Sequence, residues 1–118
     1  MFGFIDTIVI SETYFNYIKI LASDKFGLSL LEVVTTLKKN PDLLETIDID
    51  PVDKLFEIDN IRLLTVNNQK DIKEFIAKYK LLPNDAIHAA CCKEYNVINI
   101  ATNDSDFNRV DFLNTWSP

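Results

Sequence analysis

Four acidic side chains stand where a carboxylate is out of keeping with its neighbours. Glu12 interrupts the apolar run "IVISETYF", Asp85 opens "DAIHAACCKEY" after the turn "LLPN", and Asp104 and Asp106 close "INIATNDSDF". Carboxylate oxygens are hard donors, and a few of them together suit Mg²⁺ or Mn²⁺, ions that keep several waters and bridge to phosphate. Such an ion polarises a phosphodiester and acidifies a coordinated water, supplying a nucleophile without a protein base. Each residue also has a plainer role. Asp85 stabilises a helix N-terminus by about 0.3 to 1 kcal/mol, Asp104 and Asp106 shape a tight turn, and Glu12 faces solvent.

Other groups offer less chemistry. His88, the one histidine, follows Asp85 by one turn among alanines and reads as a core or boundary residue. Cys91 and Cys92 are adjacent, so they fill small packing slots, and without a CxxC or a paired Cys and His spacing no structural zinc site is expected. Gly3 and Gly27 are the only glycines, which excludes a glycine-rich phosphate loop. A net charge of -6 argues against a broad basic grip on nucleic acid. If this chain handles nucleic acid, a cation must mediate.

The elements that position these residues follow from apolar spacing. Asp6 and Thr7 read as caps of a buried first helix carrying Ile8, Ile10, Tyr14, Phe15, Tyr17, Ile18 and Leu21. Ser29, or the turn Asp24 to Gly27, opens a second helix that Asn40-Pro41 stops. Pro51 starts a short third helix. "IRLLTV", residues 61–66, has the continuous apolar character of a buried parallel strand. A helix capped by Asn67 or Asn68 should turn Ile72, Phe75, Ile76 and Tyr79 inward, and the small-residue helix beginning at Asp85 should end at a left-handed Asn96. Val97 to Ile100 returns as a strand, and "DFLNTW" forms a short edge strand. Strands without polar alternation among these helices argue for an α/β fold with a parallel sheet, whose ligands bind at the carboxyl ends of the strands, where Thr102 to Asp106 falls. At 118 residues the chain is expected to form one domain, 1–118, around one core.

"LLPNDAIHAACCKEYNVINIATNDSDF" resembles the C-terminal half of a PIN domain of the VapC-like nuclease family, with an Asp opening the "DAIHAA" helix and another in "TNDSDF". "IVISETYF" is similar to the family's second acidic motif, so the resemblance spans nearly the whole chain. It implies a PIN-like parallel sheet flanked by helices and Mg²⁺- or Mn²⁺-dependent cleavage of RNA. Glu12, Asp85 and Asp104 become the catalytic metal-binding acids, with Asp106 as a further metal-binding acid. Thr102 and Asn103 become supporting polar groups near the water or phosphate. The family's opening strand, ending in Asp-Thr or Asp-Ser, finds no room here. "GFIDTIVI" has Asp6-Thr7, but only five residues separate Asp6 from Glu12. The expectation is therefore a fold truncated at its N-terminus, lacking the first central strand and its Asp. Residues Met1 to Ile5 would substitute in part for that strand, or another copy would cover the surface so exposed, giving a homodimer.

The function expected is that of a ribonuclease toxin of a type II toxin–antitoxin pair, with RNA as substrate and an antitoxin as partner. The alternative is a catalytically inactive, truncated PIN domain serving as an interaction or dimerisation module. No stretch reaches the roughly 20 apolar residues of a membrane span, and the N-terminus has no basic segment before an apolar signal core. A cytoplasmic protein without membrane contact is expected.

Overall fold

The computed structural model describes residues 3–118. Its contacts divide the chain into two compact units, one holding Val9–Arg62 with the residues up to Ile5, the other Asp6–Ile8 with Leu63–Pro118. Where one core is expected, most of the buried apolar side chains among the described residues fall into two clusters, each within one unit.

The N-terminal segment departs from the sequence reading. It forms a strand, β1 (Gly3–Asp6), that runs directly into helix α1 (Thr7–Phe26) with no crossover between them. Asp6 is thus the last residue of a strand and is buried, not a capping residue at the surface.

In the first unit α1 ends at Gly27, whose φ of +64° puts it in the left-handed region that closes a helix, while the Leu28 N–H donates to the Ser23 carbonyl at 3.1 Å. α2 (Leu30–Lys39) starts at Ser29 as expected. The Ser29 hydroxyl oxygen accepts from the Glu32 N–H at 3.3 Å and donates to the Glu32 carboxylate at 3.0 Å. A 3₁₀ helix (Pro41–Thr46) and α3 (Asp50–Phe56) follow, with Pro51 in the first turn of α3. Ala22, Val33 and Ile47 form the core here, with Ile18, Leu21 and Leu37 packed against it. α1 is less buried than its composition predicts: Ala22 is its one fully buried residue, and Ile20 is 62% exposed. Its apolar residues run round the helix instead of along one stripe, so whichever face packs, another stays uncovered.

β2 (Ile61–Leu64) neighbours β1. It is shorter than predicted and largely open, with Leu63 at 53% exposure, so it is not the buried strand that its run of apolar residues suggests.

In the second unit α4 (Gln69–Tyr79) is capped by Asn68, whose side-chain oxygen accepts from the Lys70 N–H at 3.1 Å. Phe75 and Tyr79 turn inward as expected, and Ile76 does not, at 39% exposure. α5 (Pro83–Glu94) buries Ala86, Ala89, Ala90 and Cys91, small side chains that let it lie close to α4. Lys93 of α5 reaches Asp71 of α4 at 3.2 Å, which provides a counter-charge for that buried carboxylate. Asn96 takes φ +55°, the left-handed stop anticipated for it. β3 (Asn99–Ala101) pairs in parallel with β4 (Asn114–Trp116), with Ile100 opposite Thr115. A 3₁₀ helix (Ser105–Arg109) lies between them.

Burial pushes the Cys91 thiol up to about 11 and the Cys92 thiol up to about 12, and the negative charge of Asp6 adds to both shifts. Well below pH 9 the thiols are protonated whether the chain is folded or not. Above it the unfolded chain gives up its protons first, so stability falls as pH rises from 9 through 11 to 12. The slope approaches about 1.4 kcal/mol per pH unit for each thiol. Urea midpoints measured at pH 8, 9 and 10 should fall faster for the wild type than for the Cys91→Ala/Cys92→Ala double variant. Parallel declines would count against buried thiols.

Candidate metal centre

Three of the predicted acids come together. Asp85 lies in the first turn of α5, behind Pro83, whose missing N–H costs nothing at that position. The helix N-terminus carries partial positive charge, which favours an anion there. Asp104 caps the 3₁₀ helix after β3: its Oδ1 accepts the Asp106 N–H at 2.9 Å. Phe107, the residue after Asp106, is buried in the core with Ala86, Ala89 and Ala90, so the acidic loop is anchored against the helix that carries Asp85. The result is one carboxylate oxygen from each of Asp85, Asp104 and Asp106, all within 4.8 Å of one another. Asp85 and Asp106 are half-buried and Asp104 is exposed.

Three like charges so close repel by about 3.5 kcal/mol or more per pair at an effective dielectric of about 20, less where water screens them. Arg109 offsets part of this through an ion pair with Asp106 at 3.0 Å. The donor set is made of carboxylate oxygens alone, which favours Mg²⁺, Mn²⁺ or Ca²⁺ over the softer metals. Ions with metal–oxygen distances of about 2.0 to 2.6 Å can join oxygens some 4 to 5 Å apart, so the spacing fits such a cation.

The supporting polar residues shape the loop. Thr102 Oγ1 accepts the Asp104 N–H at 3.0 Å, and Asn103 Oδ1 accepts from the Ser117 hydroxyl at 2.9 Å. Glu12 lies on α1 in the first unit, with its side chain exposed. The three-carboxylate group is built from the second unit alone.

Sequence reasoning missed one buried pair. His88 Nδ1 meets Asp6 Oδ2 at 2.5 Å, both side chains are largely shielded, and the imidazole ring lies 6.3 Å from the ring of Phe107. The boundary position expected of His88 is correct, but its partner is 82 residues away in sequence. A usable signal exists in "GFID", an apolar run ending in Asp, which is how a strand end reads.

The model of the PIN domain family matches residues 3–113. The chain belongs to the PIN domain family. Two curated relatives come from Methanocaldococcus jannaschii. Ribonuclease VapC2 is 41% identical over 111 residues, covering 94% of this chain and 69% of its own length. Ribonuclease VapC6 is 33% identical over 111 residues, covering 92% of this chain and 72% of its own length. No solved structure gave a significant match. In this PIN domain the carboxylate group sits after β3 and at the start of α5, the two positions that the motifs "TNDSDF" and "DAIHAA" indicate. Among the described residues, no helix of this PIN domain is long and apolar enough to cross a membrane.

Proposed function

We propose that this PIN domain is a divalent-metal-dependent endoribonuclease of the VapC type, the toxin of a toxin–antitoxin pair. The observation that carries the reading is the group of Asp85, Asp104 and Asp106, whose oxygens lie within 4.8 Å of one another in a chain similar to two ribonucleases. Mg²⁺ or Mn²⁺ is the ion these residues would hold. When bound, it supplies a Lewis acid for the phosphodiester and acidifies the attacking water. The chain's own contribution is placement. The first turn of α5 fixes Asp85, the loop backbone fixes Asp104, and Thr102 fixes that backbone. Glu12 enters the reading on its motif alone and is tested by its own Glu12→Gln variant. A net charge of -6 gives RNA phosphates no general attraction, so binding through a cation is the consistent route.

An antitoxin and a second copy of the chain are the partners this reading expects. Leu30 and Leu31, 55% and 93% exposed at the start of α2, favour a protein partner of some kind. They are also what the interaction-module alternative would use.

Incubating the purified chain with single-stranded and structured RNA tests the proposal. Cleavage is expected with Mg²⁺ or Mn²⁺, none in EDTA, and recovery when the ion is restored in excess. Cleavage that persists in EDTA would overturn the metal requirement. Absence of cleavage with either ion would favour the interaction module.

A further inference from the structure

We infer that Arg109 is a positioning residue, holding the Asp106 carboxylate in the orientation that lets it face Asp85 and Asp104. The inference rests on the metal-site reading above and concerns how one of its carboxylates is aimed.

The guanidinium of Arg109 makes three hydrogen bonds in three directions. Nε donates to the Tyr79 carbonyl at 2.8 Å, Nη2 to the Lys80 carbonyl at 2.7 Å, and Nη1 to Asp106 Oδ1 at 3.0 Å. Tyr79 ends α4, and Lys80 follows it in the left-handed conformation at φ +56°. The last carbonyls of a helix have no N–H of the next turn to accept from, and Arg109 meets two such groups. Two backbone anchors fix a rigid planar fork, so the third N–H points in a determined direction. That direction leads to Asp106. Arg109 engages Oδ1 of this carboxylate, one oxygen of which belongs to the group with Asp85 and Asp104.

Asp104 needs no such device. Its Oδ1 is held by the Asp106 backbone N–H, and its own N–H is held by Thr102. Asp106 uses its N–H to hold Asp104, while its own carboxylate is held by Arg109. Two effects of Arg109 oppose each other at the site. Its positive charge disfavours a nearby cation, and its geometry favours one by presetting a ligand. The side chains of the pair are 42% and 43% exposed, so water screens the charge effect and leaves it small. Loss of a residue that orients a metal ligand typically weakens metal binding 10- to 100-fold. Orientation therefore outweighs repulsion.

The test is Mn²⁺ affinity, measured by calorimetry on the full chain, alongside thermal melting. Arg109→Ala should weaken Mn²⁺ binding about tenfold. Arg109→Lys keeps the charge but not the fork, so it should also weaken binding; it serves for the same comparison if Arg109→Ala does not fold. Asp106→Ala should weaken binding by itself, and adding Arg109→Ala to it should change the affinity no further, because the residue acts through Asp106. Melting should separate the two roles: Arg109→Ala should lower the transition in both backgrounds, since the α4 carbonyls lose their donor in each. Unchanged or tighter Mn²⁺ binding in Arg109→Ala, or an undiminished effect in the Asp106→Ala background, would overturn the inference while leaving the metal site standing. A wild-type chain that binds no Mn²⁺ would remove the metal-site reading and the inference together.

Discussion

Replacing Asp85 with Asn is expected to lower metal-dependent RNA cleavage by about 10³-fold, on the order of 4 kcal/mol in the barrier. The exchange keeps the shape and volume of the side chain and removes one negative charge from the three whose oxygens lie within 4.8 Å. A cation in this group would lose an anionic ligand. Folding should suffer far less, because a carboxylate at a helix N-terminus contributes only about 0.3 to 1 kcal/mol. The melting midpoint should then fall by no more than about 4 to 6 °C for a chain of this size. Rate and melting are to be measured on the same preparation. Asp42→Asn, an exposed acid in the first 3₁₀ helix, should leave cleavage at the wild-type rate. Retention of more than a tenth of the wild-type activity by Asp85→Asn would take that residue out of the metal centre.

Phe75→Ala should cost about 3 to 5 kcal/mol of stability. Phe75 is 2% exposed and lies at the centre of an aromatic group, with ring centroids 5.2 Å from Tyr79 and 5.7 Å from Phe112. Truncation loses the transfer energy of the ring and leaves a cavity that flanking rings fill only partly. Against a typical stability of about 5 to 15 kcal/mol this is a large fraction. Urea unfolding should give a lower midpoint with little change in slope. A loss below about 1 kcal/mol would mean that Phe112 and Tyr79 collapse into the space. The consequence reaches the acidic loop, because Phe107 beside Asp106 belongs to the same core as Phe75.

Much of the chain is legible from short stretches. Ser29 and Asn68 are read as caps because the bond each makes closes on a residue two or three positions ahead. Asn96 is read as a stop because Asn tolerates the left-handed conformation. Of the four acids singled out in the sequence, Asp85, Asp104 and Asp106 stand at the end or start of a regular element, where ligand groups collect, and their oxygens lie within 4.8 Å of one another, whereas Glu12 on α1 is not in that group. The failures have another origin. α1 and β2 were expected to be buried because they are apolar, yet apolar composition does not say whether another layer exists to cover them. Ile20 at 62% and Leu63 at 53% exposure record that difference. Asp6 reads as a cap because it precedes a helix, a local inference that its meeting with a distant histidine overrides.

By itself, then, the sequence determined the α/β class, the caps Ser29 and Asn68, the left-handed stop at Asn96, and the family. Each depends on the spacing and chemistry of residues near one another along the chain. The tertiary structure alone decided that the apolar residues divide into two clusters, that Asp6 meets His88, and that Arg109 reaches back to the end of α4 while holding Asp106. The Asp6–His88 and Arg109–Tyr79 meetings bring together residues about 30 to 80 positions apart. No local pattern encodes such an encounter, because it is set by how packed elements close on one another.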